Sequence, residues 1–141
     1  MFKTVLFPID QSRETREAAD VVTNVVKKYS SRLVLLSVVE EPPIDAPSKD
    51  APSTDDPMVS PEVVAKLLEN AQSLFSGQGI QSEILERRGK PAFTICDVAD
   101  EIGADLIIMG CRGLGLTEEG ADDSVTTRVI NLSPCPVLIV P

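Results

Sequence analysis

Short apolar runs recur along the 141 residues, separated by stretches with helical periodicity, and this alternation narrows the choice of fold more than any other feature. The runs are Thr4–Ile9, Leu33–Val39, Leu106–Met109 and Val137–Val140, with a weaker one from Gln81 to Arg87. Leu33–Val39, with Ser37 inside it, falls far short of the roughly 20 apolar residues a bilayer-spanning helix requires. Strands covered on one face alternate apolar with polar, whereas continuous β-branched runs of this length suit parallel strands covered on both.

The stretches between the runs carry helix signals. From Ser12 to Tyr29, the residues Ala18, Val21, Val22, Val25, Val26 and Tyr29 form an i, i+3/i+4 stripe. Glu14 and Glu17 lie in its first turns and Lys27 and Lys28 in its last, matching the helix macrodipole. Ser60-Pro61-Glu62 supplies an N-cap, an N1 proline and a first-turn acid, followed by a face of Val63, Val64, Leu67, Leu68, Ala71, Leu74 and Phe75. Pro91 opens a third helix with Ala92, Ile95, Cys96, Ala99 and Ile102 on one face and Gly103 as its C′ glycine. A fourth runs from about Ser124 to Leu132.

Strands alternating with helices in this way predict an α/β fold: an open five-stranded parallel sheet with helices on both faces, Rossmann-like, joined by right-handed crossovers. No internal repeat is visible, and residues 1–141 read as one domain. The stretch 40–61 stands apart, with six prolines, six acids and one lysine, and reads as a loop.

Composition excludes several functions. The 13 Lys+Arg stand against 22 Asp+Glu, a net charge of −9, which disfavours nucleic acid and anionic membrane surfaces as partners because both need a basic face. The excess is localised: 40–61 and the four acids Glu118, Glu119, Asp122 and Asp123 account for it, leaving the remainder with as many bases as acids. The absence of histidine removes Ser-His-Asp and Cys-His catalysis and His-ligated zinc. Cys96, Cys111 and Cys135 match neither a disulfide framework nor CxxC metal spacing. Met1-Phe2-Lys3 leads directly into the first strand, with no secretory h-region. A reducing, cytoplasmic setting is the expectation.

In open parallel sheets, ligands bind beyond the carboxyl ends of the strands where the strand order reverses. Two strand ends are chemically marked. The first finishes Pro8-Ile9-Asp10, with a carboxylate at the crest, and the fourth finishes Met109-Gly110-Cys111-Arg112-Gly113, with glycines that admit close approach to backbone amides.

Gly110-x-x-Gly113, nine residues, then Asp123-Ser124-Val125 resembles the ATP-binding pattern of the universal stress protein family, which reads Gly, two residues, Gly, nine residues, Gly, Ser/Thr. Gly103 to Met109 ahead of the loop, Ser133 to Val140 behind it, and Leu6-Phe7-Pro8-Ile9-Asp10 are similar to that family as well. The resemblance implies strand order 3-2-1-4-5 and a homodimer paired through residues 137–140. It further implies that ATP or a related adenine nucleotide, accompanied by Mg²⁺, lies with Pro8, Ile9 and Asp10 on its adenine and ribose side. Val38 and Met109 would line the base pocket, and Gly110, Gly113, Ser124 and Val125 would hold ribose and phosphates; Arg112, also placed at the nucleotide, offsets only one of the four acids Glu118, Glu119, Asp122 and Asp123. One departure stands out: Asp123 occupies the place of the third glycine, putting a carboxylate where phosphates would lie.

The leading reading is a cytoplasmic stress-response signalling homodimer that binds an adenine nucleotide and passes its occupancy to a protein partner. The alternative is a nucleotide-free dimeric partner-binding protein whose site is altered by Glu118, Glu119, Asp122 and Asp123. An ATP hydrolase would need a positioned base, a P-loop lysine or a nucleophile, and only candidate carboxylates are present, so no catalytic or metal-ligating residue is assigned. Ser124 serves equally as an N-cap, and Asp10 equally as a cap of the first helix. Cys111 reads as an inert small hydrophobe. Arg87, Arg88 and Lys90 read as a solvated turn.

Overall fold

A computed structural model describes residues 2–10, 13–40, 61–110 and 125–141. Five strands, β1 (Thr4–Pro8), β2 (Arg32–Glu40), β3 (Ser82–Gly89), β4 (Leu106–Gly110) and β5 (Val137–Val140), form one sheet in the order β3-β2-β1-β4-β5. Every neighbouring pair is parallel. The connections run through α1 (Arg13–Tyr29), α2 (Pro61–Gly77), α3 (Pro91–Ile102) and α4 (Val125–Leu132).

The sheet separates two apolar cores. Successive side chains of a strand point to opposite faces, so Val5 and Phe7 join Ala18, Val22 and Val26 of α1 and Val64, Leu68 and Phe75 of α2. Leu6, Val34, Leu36 and Ile107 join Ala92, Ile95 and Ala99 of α3 and Val129 of α4 on the other side. In the central strand Val5, Leu6 and Phe7 are at most 1% exposed, and β4 is buried along its whole length. Each such side chain removed from water contributes about 1.5–3 kcal/mol. Phe7 meets Phe75 edge-on, ring centroids 6.1 Å apart, which fixes α2 against β1.

The ends are set locally. Gly103 follows α3 at φ +65°, and its N–H donates to the carbonyls of Ala99 and Asp100, the left-handed helix stop expected of a C′ glycine. The Asp105 carboxylate accepts from the N–H groups of Lys3 and Thr4 at 3.0 Å each, tying the start of β1 to β4.

Two expected core positions prove exposed. Tyr29, at the end of α1, is 38% exposed and packs edge-on against Phe2, while Ala19 lies buried in the α1 interface. Leu74 is 57% exposed although its neighbour Phe75 is fully enclosed. The loop expected at 40–61 is narrower at both ends, because Glu40 closes β2 and Pro61 opens α2; residues 41–60 lie outside the described residues.

Candidate functional site

β1 lies between β2 and β4, and the crossovers to its two neighbours pack on opposite faces of the sheet. Beyond the carboxyl end of β1 the strand order therefore reverses, which opens a crevice. The chain leaves β1 along a fixed path. The Ile9 N–H donates to the Leu36 carbonyl at 2.8 Å, and the Ser37 hydroxyl donates to the Ile9 carbonyl at 3.4 Å. Asp10 follows, only 7% exposed. The Thr15 hydroxyl, in the first turn of α1, donates to Asp10 Oδ1 at 2.7 Å and accepts from the Asp10 N–H at 3.3 Å. Across the crevice the buried Thr126 hydroxyl donates to the Gly110 carbonyl at 3.0 Å, pinning the first turn of α4 to the end of β4.

These elements line a recess with about 450 Å³ of space out to its open rim. Leu36, Val38, Ile95 and Met109 give it apolar walls, Pro8 and Ile9 one rim, and Gly110, Pro91 and Val125 the other. Asp10 is the sole ionisable side chain among its described lining residues, so the chemistry on offer is an apolar slot with one acceptor-rich, hydrogen-bonded corner. Among the described residues no group of three acids or cysteines is placed to hold a metal ion. An accompanying Mg²⁺ would find the Asp10 carboxylate as its one described protein ligand and would depend on the phosphates of the ligand itself.

Of the residues singled out in the sequence, Pro8, Ile9, Asp10, Val38, Met109, Gly110 and Val125 are brought together around this recess. Arg112, Gly113 and Ser124 lie outside the described residues, as do Cys111 and the acids Glu118, Glu119, Asp122 and Asp123. Sequence reasoning missed Thr15, Leu36, Pro91 and Ile95. Leu36 was within reach, because it lies two residues from Val38 on the same face of β2. Thr15 was marked only by its position one helical turn into α1. Arg87 is not a bare cation: it pairs with Glu101 at 3.3 Å. Burial pushes the Cys96 and Cys135 thiols up, away from nucleophilic thiolates.

Fold and recess together define an open, doubly wound α/β protein with its cleft at the topological switch point. The sequence matches the universal stress protein family profile over residues 1–141, and the chain belongs to that family. Universal stress protein Sll1654 of Synechocystis is 62% identical over 141 residues, covering 100% of this chain and 87% of that protein. Among solved structures, a universal stress protein in complex with cAMP superposes with a TM-score of 0.75 at 23% identity, covering 99% of this chain and 97% of the other. The universal stress protein from Archaeoglobus fulgidus in complex with dAMP gives 0.70 at 20% identity, with 99% and 98% covered. A family member from Arabidopsis thaliana with AMP bound gives 0.67 at 19% identity, with 98% and 90% covered.

Proposed function

We propose that this protein binds an adenine nucleotide, ATP or a close relative, in the recess between β1 and β4 and acts as a homodimeric, cytoplasmic stress-response module of one domain. The convergence of Pro8, Asp10, Val38, Met109, Gly110 and Val125 on one cleft carries the reading. A purine has two apolar faces, which Leu36, Val38, Ile95 and Met109 suit, and a polar edge and sugar hydroxyls, which a fixed carboxylate at Asp10 accepts from. Gly110 and the opening turn of α4 stand where phosphates would lie, and helix N-termini favour anions. The adenine nucleotides held by cAMP-, dAMP- and AMP-bound family members support the same ligand class.

Pairing through β5 draws support from its apolar surroundings. Leu138 on the strand is 37% exposed, and Ile130 and Leu132 of α4 are 53% and 47% exposed. Each is a large side chain that a second copy would shield. No helix among the described residues is long and apolar enough to cross a membrane.

Asp123, at the position of the family's third glycine, favours a second reading: a nucleotide-free dimer that docks a protein partner. Two unit charges about 4 Å apart repel by about 1 kcal/mol in bulk water and about 4 kcal/mol at an effective dielectric of 20.

Calorimetric titration with AMP and with Mg²⁺-ATP decides between them. Saturable binding that Met109→Glu abolishes and Asp123→Gly strengthens toward ATP supports the nucleotide reading. The absence of binding for both nucleotides, with no 260 nm absorbance released from freshly purified protein on denaturation, overturns it in favour of the second.

A further inference from the structure

We propose that the groove between α1 and α2, on the sheet face opposite the walls of the recess, is a second binding site that takes a fatty carboxylate. The groove holds about 1230 Å³ of space out to its open rim. Its floor is apolar, formed by Phe7 and Phe75, with Ala19 on the α1 side and Val63, Leu67, Ala71 and Leu74 along α2. Ala19 and Ala71 leave width where a larger side chain would bring the helices into contact. From Lys66 to Leu74 the α2 side of the groove runs roughly 12 Å at 1.5 Å per residue, a length on the scale of one extended aliphatic chain.

Charge gives the groove a direction. Arg16 in the first turn of α1 and Lys66 in the second turn of α2 line the end nearest the carboxyl ends of the strands. Leu74, 57% exposed, lies at the opposite end. In a protein of net charge −9, neither cation forms an ion pair among the described residues. Asn70 adds a neutral donor beside them, and Asp10, the one acid among its described lining residues, is already hydrogen-bonded to Thr15. One anionic head at Arg16 and Lys66 with one apolar tail toward Leu74 satisfies both ends. Burial of a tail against Leu67, Ala71 and Leu74 supplies the driving force, and the two cations select a carboxylate over an alcohol of equal length.

The test is calorimetric titration of the full chain with dodecanoate below its micelle-forming concentration, alongside octanoate and dodecanol. One equivalent of dodecanoate is expected to bind, more tightly than octanoate by up to roughly tenfold per two methylenes, and more tightly than dodecanol. Arg16→Glu and Lys66→Glu, both on exposed helix surface, are expected to weaken dodecanoate by roughly tenfold with far-UV circular dichroism unchanged, and Ala71→Phe to block it. AMP affinity, measured on the same variants, reports the recess separately. Failure of dodecanoate to bind, or binding indifferent to Lys66→Glu and Ala71→Phe, overturns the proposal. Binding that appears only after Asp55 and Asp56 are changed to Asn assigns the groove to the chain's own acidic segment and overturns it equally.

Discussion

Thr15 holds Asp10 from two sides: its hydroxyl donates to the carboxylate at 2.7 Å and accepts from the backbone N–H of the same residue at 3.3 Å. The carboxylate at the crest of the sheet is thereby held in one orientation before any ligand arrives. Thr15→Val keeps the shape and removes the hydroxyl, so nucleotide affinity is expected to fall by roughly tenfold with a stability loss of about 1 kcal/mol. Thr15→Ser is expected to restore both. Titration calorimetry and urea unfolding measure the two effects, and equal affinities for the Val and Ser variants would show that Asp10 needs no such support.

Two glycines in positive φ separate backbone strain from crowding. At Gly103, φ +65°, a Cβ would meet nothing within 4 Å; at Gly89, φ +142°, it would come within 2.7 Å of Thr94 Oγ1. Gly103→Ala is expected to cost about 1–2 kcal/mol from left-handed backbone alone. Gly89→Ala should cost more, and Thr94→Ala in the same chain should recover part of the difference. Denaturant midpoints of the wild type and the three variants provide the measurement, and a Gly89 cost unaffected by Thr94→Ala would remove the crowding.

Arg32 forks the Glu83 carboxylate across β2 and β3, with Nη2 at 3.0 Å from Oε1. The hydrogen bond from Arg32 holds the Glu83 carboxyl below the ordinary carboxylate range. A depressed carboxyl stabilises the fold above its unfolded pKa, about 4.3, and loses that contribution as pH falls through the lower folded value. Both side chains are about half exposed, so the effect is small and screened by salt. The stability difference between wild type and Glu83→Gln is expected to be constant above about pH 5, to vanish in acid, and to shrink in 1 M NaCl. Urea unfolding across pH tests this, and a difference that persists in acid would place its origin elsewhere.

If β5 pairs two copies, Leu138→Glu puts like charges beside one another in a desolvated seam. Sedimentation is expected to show monomers for the variant and dimers for the wild type, with the far-UV spectrum unchanged because Leu138 lies outside both cores. A wild type that already sediments as a monomer removes the strand-paired dimer.

The parallel sheet was legible because strands enclosed on two faces carry almost no polar residues, so Thr4–Ile9, Leu33–Val39 and Leu106–Met109 announced themselves. β3 was weaker in sequence for a physical reason: it is an edge strand with alternating exposure and is half solvated along Ser82–Gly89. Helical periodicity located α1 and its buried stripe of Ala18, Val22 and Val26, but not Ala19 or the exposure of its last residue. Close approach to the sheet selects the small Ala19, and the wide ring of Tyr29 rides at the end on Phe2. Leu74 fitted the apolar face of α2, yet α1 and α2 stand apart there, and no spacing rule reports the gap between helices. At the recess, strand-end residues could be read from motif and topology, whereas Ile95 and Pro91 arrive from a helix remote in sequence and only folding brings them in.

Ile9, Asp10 and Thr15 line both the recess and the α1–α2 groove, so one short turn is the party wall between two compartments. Thermodynamic linkage makes such a wall reciprocal. Whatever factor an occupant on one side imposes on affinity at the other, the second occupant returns in full.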